Sequence, residues 1–375
     1  MSDGIPLGTV GGVQVRANWS VLVLLWLFAW SLAISLPSMV PGYSKSDYWI
    51  AGVIGAVVLL ASLLAHELTH AVVSRRAGLK VSSITLWMFG GVTRIEGEPK
   101  NPKTQFWIAF SGPLMSLLLS ALFAGLAAVL RAAGVAPLAV AVAWWLSGIN
   151  LLLALFNLLP GAPLDGGRML QAILWRRYGD KTRATVGAAR AGQVLGFVLI
   201  ALGLVEFLTK SLISGVWLVF IGWYLLMVAR EEEKQAVNQQ SLAGVRVSDA
   251  MSANPRTAPG WISVSDFIEN YLLGDRHSAY PVEAPDGSVT GLITLSQLRG
   301  VAPDKRESTL VRDAEIPLDQ VPTAAPDEPV TALLRRISST TDRRVLVVDD
   351  GRVVGIVAPS DITRLIEARG LVGST

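Results

Sequence analysis

The chain has 375 residues, of which 51% are hydrophobic and only 16% are charged. A composition this apolar excludes an ordinary soluble enzyme and predicts an integral membrane protein. The formal net charge of +3 is too small to indicate a nucleic-acid partner, and the absence of cysteine excludes disulfides and thiolate metal sites.

Six apolar runs are each long enough to cross a bilayer as a helix, which takes about 20 residues. The predicted spans are 19–37, 49–74, 105–130, 136–159, 187–208 and 211–229. The fourth run ends at Pro160-Gly161, a strong helix breaker. We therefore predict a polytopic α-helical membrane domain at residues 1–230, with six transmembrane helices.

Basic residues are concentrated in two of the predicted loops. Segments 75–104 and 160–183 carry six and five lysines and arginines, whereas the three alternate loops carry only Lys45, Arg131 and Lys210. By the positive-inside rule, the two basic segments face the cytoplasm, and an even number of spans places both termini there. The sequence thus predicts a multi-pass protein of the cell membrane whose tail is cytoplasmic.

From Glu231 onward the charge density becomes that of a soluble domain. Residues 247–250 (VSDA) recur 64 residues later as 311–314 (VRDA), and Asp-Gly and Gly-hydrophobic pairs recur at the same offset. Such self-similarity is typical of tandem domains. The predicted boundaries are a linker at 231–244 and a soluble α/β pair at 245–375, with domains at about 245–303 and 309–375.

The second predicted span carries three ionisable residues, His66, Glu67 and His70. Ionisable groups are costly inside a bilayer and usually mark a function. At about 100° per residue the two histidines fall on nearly the same face of a helix, where they can share one zinc ion. Glu67 can then act on a water as a general base. The alternative is a chance HExxH pattern in a bundle core.

A catalytic zinc ion generally needs a third protein ligand, and the sequence offers a carboxylate. Asp165 lies in the segment 156–168 (FNLLPGAPLDGGR), whose prolines break the fourth span and can turn the chain back towards the second. Asp165 could instead cap the helix that follows it. In combination with HExxH, the ligand interpretation is favoured.

HELTH (66–70), together with NLLP (157–160) and PLDG (163–166), resembles the site-2 protease family of intramembrane zinc metalloproteases. The resemblance covers roughly residues 5–230. It implies one Zn²⁺ per chain, held by His66, His70 and Asp165. It also implies that Glu67 activates the water and that the Asn157 amide stabilises the oxyanion. An interhelical hydrogen bond is the other role open to Asn157.

Three further segments resemble the same family. Residues 11–20 resemble the strand before the first helix, although the family often has a histidine where this chain has Asn18. Residues 84–97 resemble a β-hairpin beside the active site, which implies a small membrane-associated β-sheet. The hairpin could pair with an unwound substrate strand or serve only the fold. SGPLMS (111–116) resembles the Gly-Pro element of the third span, with Ser116 where the family often has Asn.

The two repeats resemble a tandem pair of CBS domains, which implies a module that regulates activity or forms a homodimer. Such domains often bind an adenine nucleotide through a helix-start hydroxyl and an Asp three residues later. The first copy has Thr294 but Gln297, and the second has Asp361 but Ala358. Thr294 and Asp361 are therefore the candidate nucleotide-binding residues, and a pair without a ligand is the alternative.

The resemblance also implies the reaction, which is regulated intramembrane proteolysis of single-pass membrane proteins. One example of such a substrate is an anti-sigma factor already trimmed outside the membrane. A CBS-regulated membrane transporter or channel is the main alternative, but an ion path does not require HExxH. A protease that trims prenylated tails would favour Glu or His as third ligand, and an inactive scaffold would not need an intact ligand set.

Overall fold

The computed structural model describes residues 4–10, 12–88, 90–134, 137–209, 212–273, 277–337 and 344–372. The chain divides into two compact units, Met1–Ala236 and Val237–Thr375. The helices of the first unit are α1 (Ser20–Met39), α2 (Lys45–Arg76), α3 (Pro102–Ala132), α4 (Pro137–Asn157), α5 (Asp165–Tyr178), α6 (Lys181–Thr209) and α7 (Leu212–Ser241), the last of which runs past the division. Its strands are β1 (Ile5–Val10), β2 (Val13–Ala17), β3 (Lys80–Trp87) and β4 (Gly90–Glu96).

Six of these helices, all except α5, are long and apolar enough to cross a membrane. Their outer faces carry large apolar side chains, such as Leu22 at 68% exposed and Leu122 at 63% exposed. Apolar exposure on this scale is typical of a surface that faces lipid rather than water.

Most of the long helices extend beyond the apolar runs that predicted them. Helix α4 instead ends at Asn157, before the end of its predicted span 136–159, since Pro160 disfavours helix in the residue before it. The predicted span 49–74 lies inside α2, and the predicted linker 231–244 begins inside α7, which continues to Ser241. Glu, Lys, Gln and Ala fill the polar end of α7, and all four are good helix formers. A hydropathy pattern measures only the part of a helix that is apolar, so it misses such polar ends.

Local capping fixes the ends of the helices around the core. At the start of α2, Ser44 Oγ accepts a hydrogen bond from Asp47 N at 3.2 Å, and Asp47 Oδ2 accepts one from Ser44 N at 3.0 Å. At the start of α3, Asn101 Oδ1 accepts from Thr104 N at 2.8 Å. Helix α5 ends at Gly179, whose φ of 72° is the left-handed conformation that favours glycine.

Small residues and hydroxyls hold the bundle helices against one another. A Cβ at Gly52 of α2 would lie 2.5 Å from the carbonyl oxygen of Ala29 in α1, so the two backbones are in close contact. Between α3 and α4, Ser120 Oγ donates to Ser147 O and Ser147 Oγ donates to Ser120 O, each at 2.9 Å. Both devices are typical of helix packing in membranes.

A four-stranded sheet in the order β1-β2-β3-β4 packs on α2. Strands β2 and β3 are parallel, and the other two pairs are antiparallel. Val13 of β2 and Ile84 of β3 form a buried cluster with Ala71 of α2. In the described part of the chain no strand pairs with the outer edge of β4.

The second unit consists of short elements. Its helices are α8 (Val247–Ala250), α9 (Val264–Phe267), α10 (Leu295–Gly300), α11 (Val311–Ala314), α12 (Val330–Ile337) and α13 (Pro359–Val372). Its strands are β5 (Ser252–Ala253), β6 (Ala258–Pro259), β7 (Ala279–Glu283), β8 (Val289–Thr294), β9 (Ile316–Pro317), β10 (Thr323–Ala324), β11 (Val345–Asp349) and β12 (Arg352–Val357). A π-helical turn covers Ile268–Leu272, and 3₁₀ turns cover Pro303–Lys305 and Leu318–Gln320.

The two sheets of this unit exchange strands between the sequence repeats. One sheet has the order β6-β7-β8-β9 and the other β10-β11-β12-β5. Strand β5 lies in the first repeat in sequence but pairs with β12 of the second, and β9 lies in the second repeat but pairs with β8 of the first. Between the sheets, Ala279 and Leu292 pack against Val321 and Leu346 in a buried cluster. The two halves are thus interleaved rather than strung in series.

Candidate metal centre

Helix α2 places the two histidines of the HExxH motif side by side. His66 is 5% exposed and His70 is 8% exposed, and their Nε2 atoms are 3.2 Å apart. Residues four apart in a helix lie one above the other on the same face. Because both rings are buried, two imidazole nitrogens this close need a shared positive ligand or a proton between them.

Asp165 reaches the same point from the break after α4. Its Oδ2 lies 3.2 Å from His66 Nε2 and 3.3 Å from His70 Nε2. The connecting loop is fastened to α6, because Ala162 N donates to Ala188 O at 3.1 Å. Asp165 is also the first residue of α5. The N-cap of α5 is Leu164 and no side chain caps this helix, so the contact of Asp165 with the histidines favours the ligand interpretation over the capping one.

The three side chains fit a zinc ion. Their ligand atoms form a nearly equilateral triangle with sides of 3.2, 3.2 and 3.3 Å. A tetrahedral site with bonds of about 2.0–2.1 Å has edges of about 3.3 Å between ligand atoms. Two imidazoles and one carboxylate, with a fourth position left open, are also the donor set of catalytic zinc sites. The geometry and the chemistry of the donors agree.

A glycine on α3 leaves room for the ion. A Cβ at Gly112 would overlap the Nε2 atoms of both His66 and His70. Every other residue type would therefore place a carbon atom against the two ligand nitrogens. An ion can therefore bind between the two histidine nitrogens only if residue 112 of α3 has no side chain.

Helix α3 also orients both imidazole rings. The Nδ1 atom of His66 lies 2.9 Å from Ser116 Oγ, and His70 Nδ1 donates to the carbonyl oxygen of Ile108 at 2.7 Å. When the outer ring nitrogen is held in this way, the other is directed at the metal. Ser116 is fully buried, so its hydroxyl performs the orienting role at the position where the resemblance suggested Asn.

Strand β4 contacts the remaining residue of the motif. The Thr93 hydroxyl donates to Glu67 Oε2 at 2.7 Å. A Cβ at Gly91 would overlap Glu67 Cγ and would lie 3.0 Å from Oε1. The β3–β4 hairpin therefore lies directly against the carboxylate that the sequence identified as the general base.

All five residues predicted for the membrane site line one cavity of about 970 Å³. They are His66, Glu67, His70, Asn157 and Asp165. Asn157 is the last residue of α4, next to the break that turns the chain towards the histidines. Strands β3 and β4 form one wall, and α7 adds a mostly aromatic wall with Trp217, Phe220, Ile221, Tyr224 and Leu225. The cavity thus combines the ligand set, the base and space for a substrate segment.

The two residues predicted to bind a nucleotide are engaged locally in the second unit. Thr294 is buried at the start of α10, where its hydroxyl hydrogen-bonds to Gln297. Asp361 Oδ2 accepts a hydrogen bond from Ala358 N at 2.9 Å at the start of α13. Each side chain therefore makes a hydrogen bond near the start of a helix in its own repeat. An oxygen engaged in this way is less available to bind ribose or phosphate.

Two residues of the membrane site were not identified from the sequence. Gly112 lies within the quoted SGPLMS element, but a Gly-Pro pair does not reveal which side chains its helix faces. Thr93 belongs to the alternating pattern of β4, in which residues 91, 93 and 95 share one face. The alternation could have shown from the sequence that these residues share a face, but not that this face contacts Glu67.

Comparison with known proteins finds matching family models and relatives that are similar along nearly the whole chain. A model of peptidase family M50 matches residues 54–137 and 128–202, and a model of the CBS domain matches residues 311–368. A protein of Mycobacterium tuberculosis (strain H37Rv) named "Putative zinc metalloprotease Rip3" is 60% identical over 98% of this chain and 94% of its own length. The Synechocystis protein "Putative zinc metalloprotease sll0528" is 30% identical over 98% of this chain and 96% of its own.

A solved structure, the site-2 protease from Methanocaldococcus jannaschii, is 27% identical with a TM-score of 0.42, over 61% of this chain and 94% of that one. The family matches and the full-length relatives confirm the resemblance on which the sequence prediction depended, and they favour a protease over a transporter. The chain therefore belongs to peptidase family M50 and is a zinc metalloprotease of the site-2 protease type with a CBS domain in its tail.

Proposed function

We propose that this protease cuts the transmembrane segment of single-pass membrane proteins, in regulated intramembrane proteolysis. The observation that carries the proposal is the meeting of His66, His70 and Asp165 in a cavity enclosed by long apolar helices. A metalloprotease centre placed among such helices has access to peptide bonds that are dissolved in lipid.

The residues around the cavity divide the work of hydrolysis. Zinc held by the two histidines and Asp165 would polarise the scissile carbonyl and lower the pKa of the attacking water. Glu67 takes a proton from that water and later gives it to the leaving amine. Asn157, at the rim of the same cavity, supplies an amide donor for the negative charge that develops on the carbonyl oxygen.

The substrate must be unwound before it is cut. A transmembrane helix keeps its carbonyl groups in internal hydrogen bonds, so none is exposed for attack. The outer edge of β4 has no partner strand among the described residues, and it borders the cavity. An extended substrate segment can add to this edge through its main chain, which tolerates varied side chains.

The distribution of charge supports the orientation and the role of the tail. By the positive-inside rule, the basic loops support an orientation in the cell membrane with both termini and the CBS pair on the cytoplasmic side. We infer that the CBS pair regulates the protease or joins two copies as a homodimer, and that an anti-sigma factor is one substrate of the expected class. An adenine nucleotide at Thr294 or Asp361 stays a prediction from the resemblance.

The protease and its zinc site can be tested in one experiment on the purified full chain in detergent. The probe is a synthetic Leu/Ala transmembrane peptide of about 25 residues with a central Gly-Pro pair, labelled with a fluorophore and a quencher. We expect Glu67→Gln to keep zinc and lose at least 100-fold in cleavage rate, because the general base is gone. Asp165→Ala should lose the zinc as well, because one of three ligands is missing.

Glu269→Gln, an exposed position in the second unit, is the matched control and should behave as wild type. Wild-type protein that holds no zinc, or a Glu67→Gln variant that cuts at the wild-type rate, contradicts the proposal. Comparative proteomics would then identify natural substrates. These are the membrane-bound fragments that accumulate in cells carrying only the Glu67→Gln variant.

A further inference from the structure

One face of β4 points towards helix α2. Along the strand, residues 91, 93 and 95 are half-buried, whereas 92, 94 and 96 are exposed. In the antiparallel pairing with β3, Thr93 lies opposite Ile84 and Gly91 lies opposite Leu86. Paired residues share a face of the sheet, and Ile84 and Leu86 are 0% and 2% exposed. Thr93 and Gly91 therefore belong to the buried face.

Both residues on this face touch Glu67. Thr93 holds one carboxylate oxygen, Oε2, through a hydrogen bond of 2.7 Å from its hydroxyl. Gly91 lies against the Cγ and Cδ atoms with no room for a side chain, which limits how far the carboxylate can swing towards the strand. A glutamate side chain has several rotatable bonds, and each bond left free lowers the fraction of time in which it is aligned for proton transfer.

We propose that Thr93 is a positioning residue for the general base Glu67. Its hydroxyl holds Oε2, which restricts rotation of the carboxylate and leaves Oε1 as the oxygen that accepts the proton. The inference rests on the proposed function, since it assigns Glu67 the role of base. Because Thr93 belongs to the strand whose open edge is available for a substrate, one element both receives the peptide and aligns the group that attacks it.

A purely structural role of the Thr93 hydroxyl would give a different result on mutation. If the hydrogen bond served only to fasten the hairpin, its loss would weaken the binding of the peptide or the stability of the fold. If it aligns the base, its loss slows the chemical step while zinc and peptide are still bound. Thr93→Val keeps the shape and removes the hydroxyl, and Thr93→Ser keeps the hydroxyl and removes a methyl group.

The experiment uses the full chain in detergent with the same labelled transmembrane peptide. We expect Thr93→Val to lose about 10-fold in kcat, a part of the contribution of a general base, with KM within twofold of wild type. Thr93→Ser should restore kcat to within threefold. Zinc per chain, measured by mass spectrometry, should not change. In the Glu67→Gln background, adding Thr93→Val should leave the affinity for the peptide, measured by fluorescence anisotropy, unchanged.

Thr85→Val is the matched control, since Thr85 lies on the neighbouring strand β3, opposite Val92, on the other face of the sheet. It should keep the wild-type kcat. The role of Thr93 is refuted by an unchanged kcat in Thr93→Val, by a loss that serine does not restore, or by a loss of zinc or of peptide affinity. If the wild type leaves the peptide uncut, the proposed function fails and the role of Thr93 fails with it.

Discussion

At the scale of single residues, the metal centre depends on the absence of a side chain at Gly112 as much as on the three ligands. Gly112 is a buried residue of α3, and a side chain there would meet the ligand nitrogens of both histidines. Helix interiors normally disfavour glycine by about 1 kcal/mol relative to alanine. Gly112 therefore costs some helix stability in exchange for room beside the ion.

Replacing Gly112 by alanine should abolish zinc binding without unfolding the protein. The added methyl group would overlap the Nε2 atoms of His66 and His70, and the ligands could escape it only by leaving their positions. We expect at least a 10-fold fall in zinc per chain at limiting zinc, measured by mass spectrometry, together with loss of cleavage.

Gly125→Ala on the same helix is the control, because a Cβ there meets no atom within 4 Å. It should keep its zinc and should unfold at the same or a slightly higher temperature. A Gly112→Ala variant with wild-type zinc content would show that the histidines do not point at a common ion.

At the scale of elements, the position of Asp165 is set by α6, which is not part of the cavity wall. The backbone of the loop between α4 and α5 lies in close contact with the backbone of α6. A Cβ at Gly161 would lie 2.7 Å from the Cα atom of Gly192, and a Cβ at Gly192 would overlap the Ala162 carbonyl oxygen. The third ligand is thus held in place by the close contact of the loop at Gly161 and Ala162 with Gly192 of α6.

Gly192→Ala should displace this loop and weaken the zinc site from a distance. Overpacking of a tight contact typically costs about 1–3 kcal/mol, so we expect a lower melting temperature. Zinc retention during dialysis against a weak chelator should also fall, because Asp165 moves with the loop. Gly187→Ala is the control, since its Cβ meets only the end of the Leu174 side chain, which can move. Equal retention in both variants would contradict the role of α6.

The elements also show what could be read from the sequence. Apolar runs and Pro160 located the long helices, and HExxH with Asp165 located three groups that the structure brings together. The sequence did not reveal that Gly192 supports Asp165 or that Thr93 meets Glu67, because both contacts join residues that are distant along the chain. Hydropathy and spacing describe one segment at a time, whereas these contacts depend on how segments pack. The boundaries predicted for the tail stay predictions.

At the scale of the whole molecule, the tail is built as one interleaved body. The core around β10–β12 includes Val245, Val247 and Ala250, which belong in sequence to the first repeat. The core around β6–β8 includes Val311, which belongs to the second. Neither repeat contains all the residues that its own core needs.

A single repeat should therefore fail to fold alone. A fragment of residues 302–375 lacks strand β5 and the apolar side chains of α8, and burying each such side chain contributes about 1–3 kcal/mol. The free energy lost with several of these buried side chains is comparable to the whole free energy of unfolding of a small domain. We expect this fragment to show the circular dichroism and NMR dispersion of an unfolded chain, whereas residues 237–375 should unfold cooperatively. Well-dispersed NMR spectra from the short fragment would contradict the conclusion that the repeats depend on strands exchanged between them.

The ligands of the metal centre come from points far apart along the chain, since 99 residues separate His66 from Asp165. An ion bound there closes a long loop, and the free energy of binding is then also free energy of folding. The histidines are synthesised and inserted well before the aspartate arrives. Zinc can consequently bind only after the second half of the bundle has docked, so its contribution to stability comes late in the folding of each molecule.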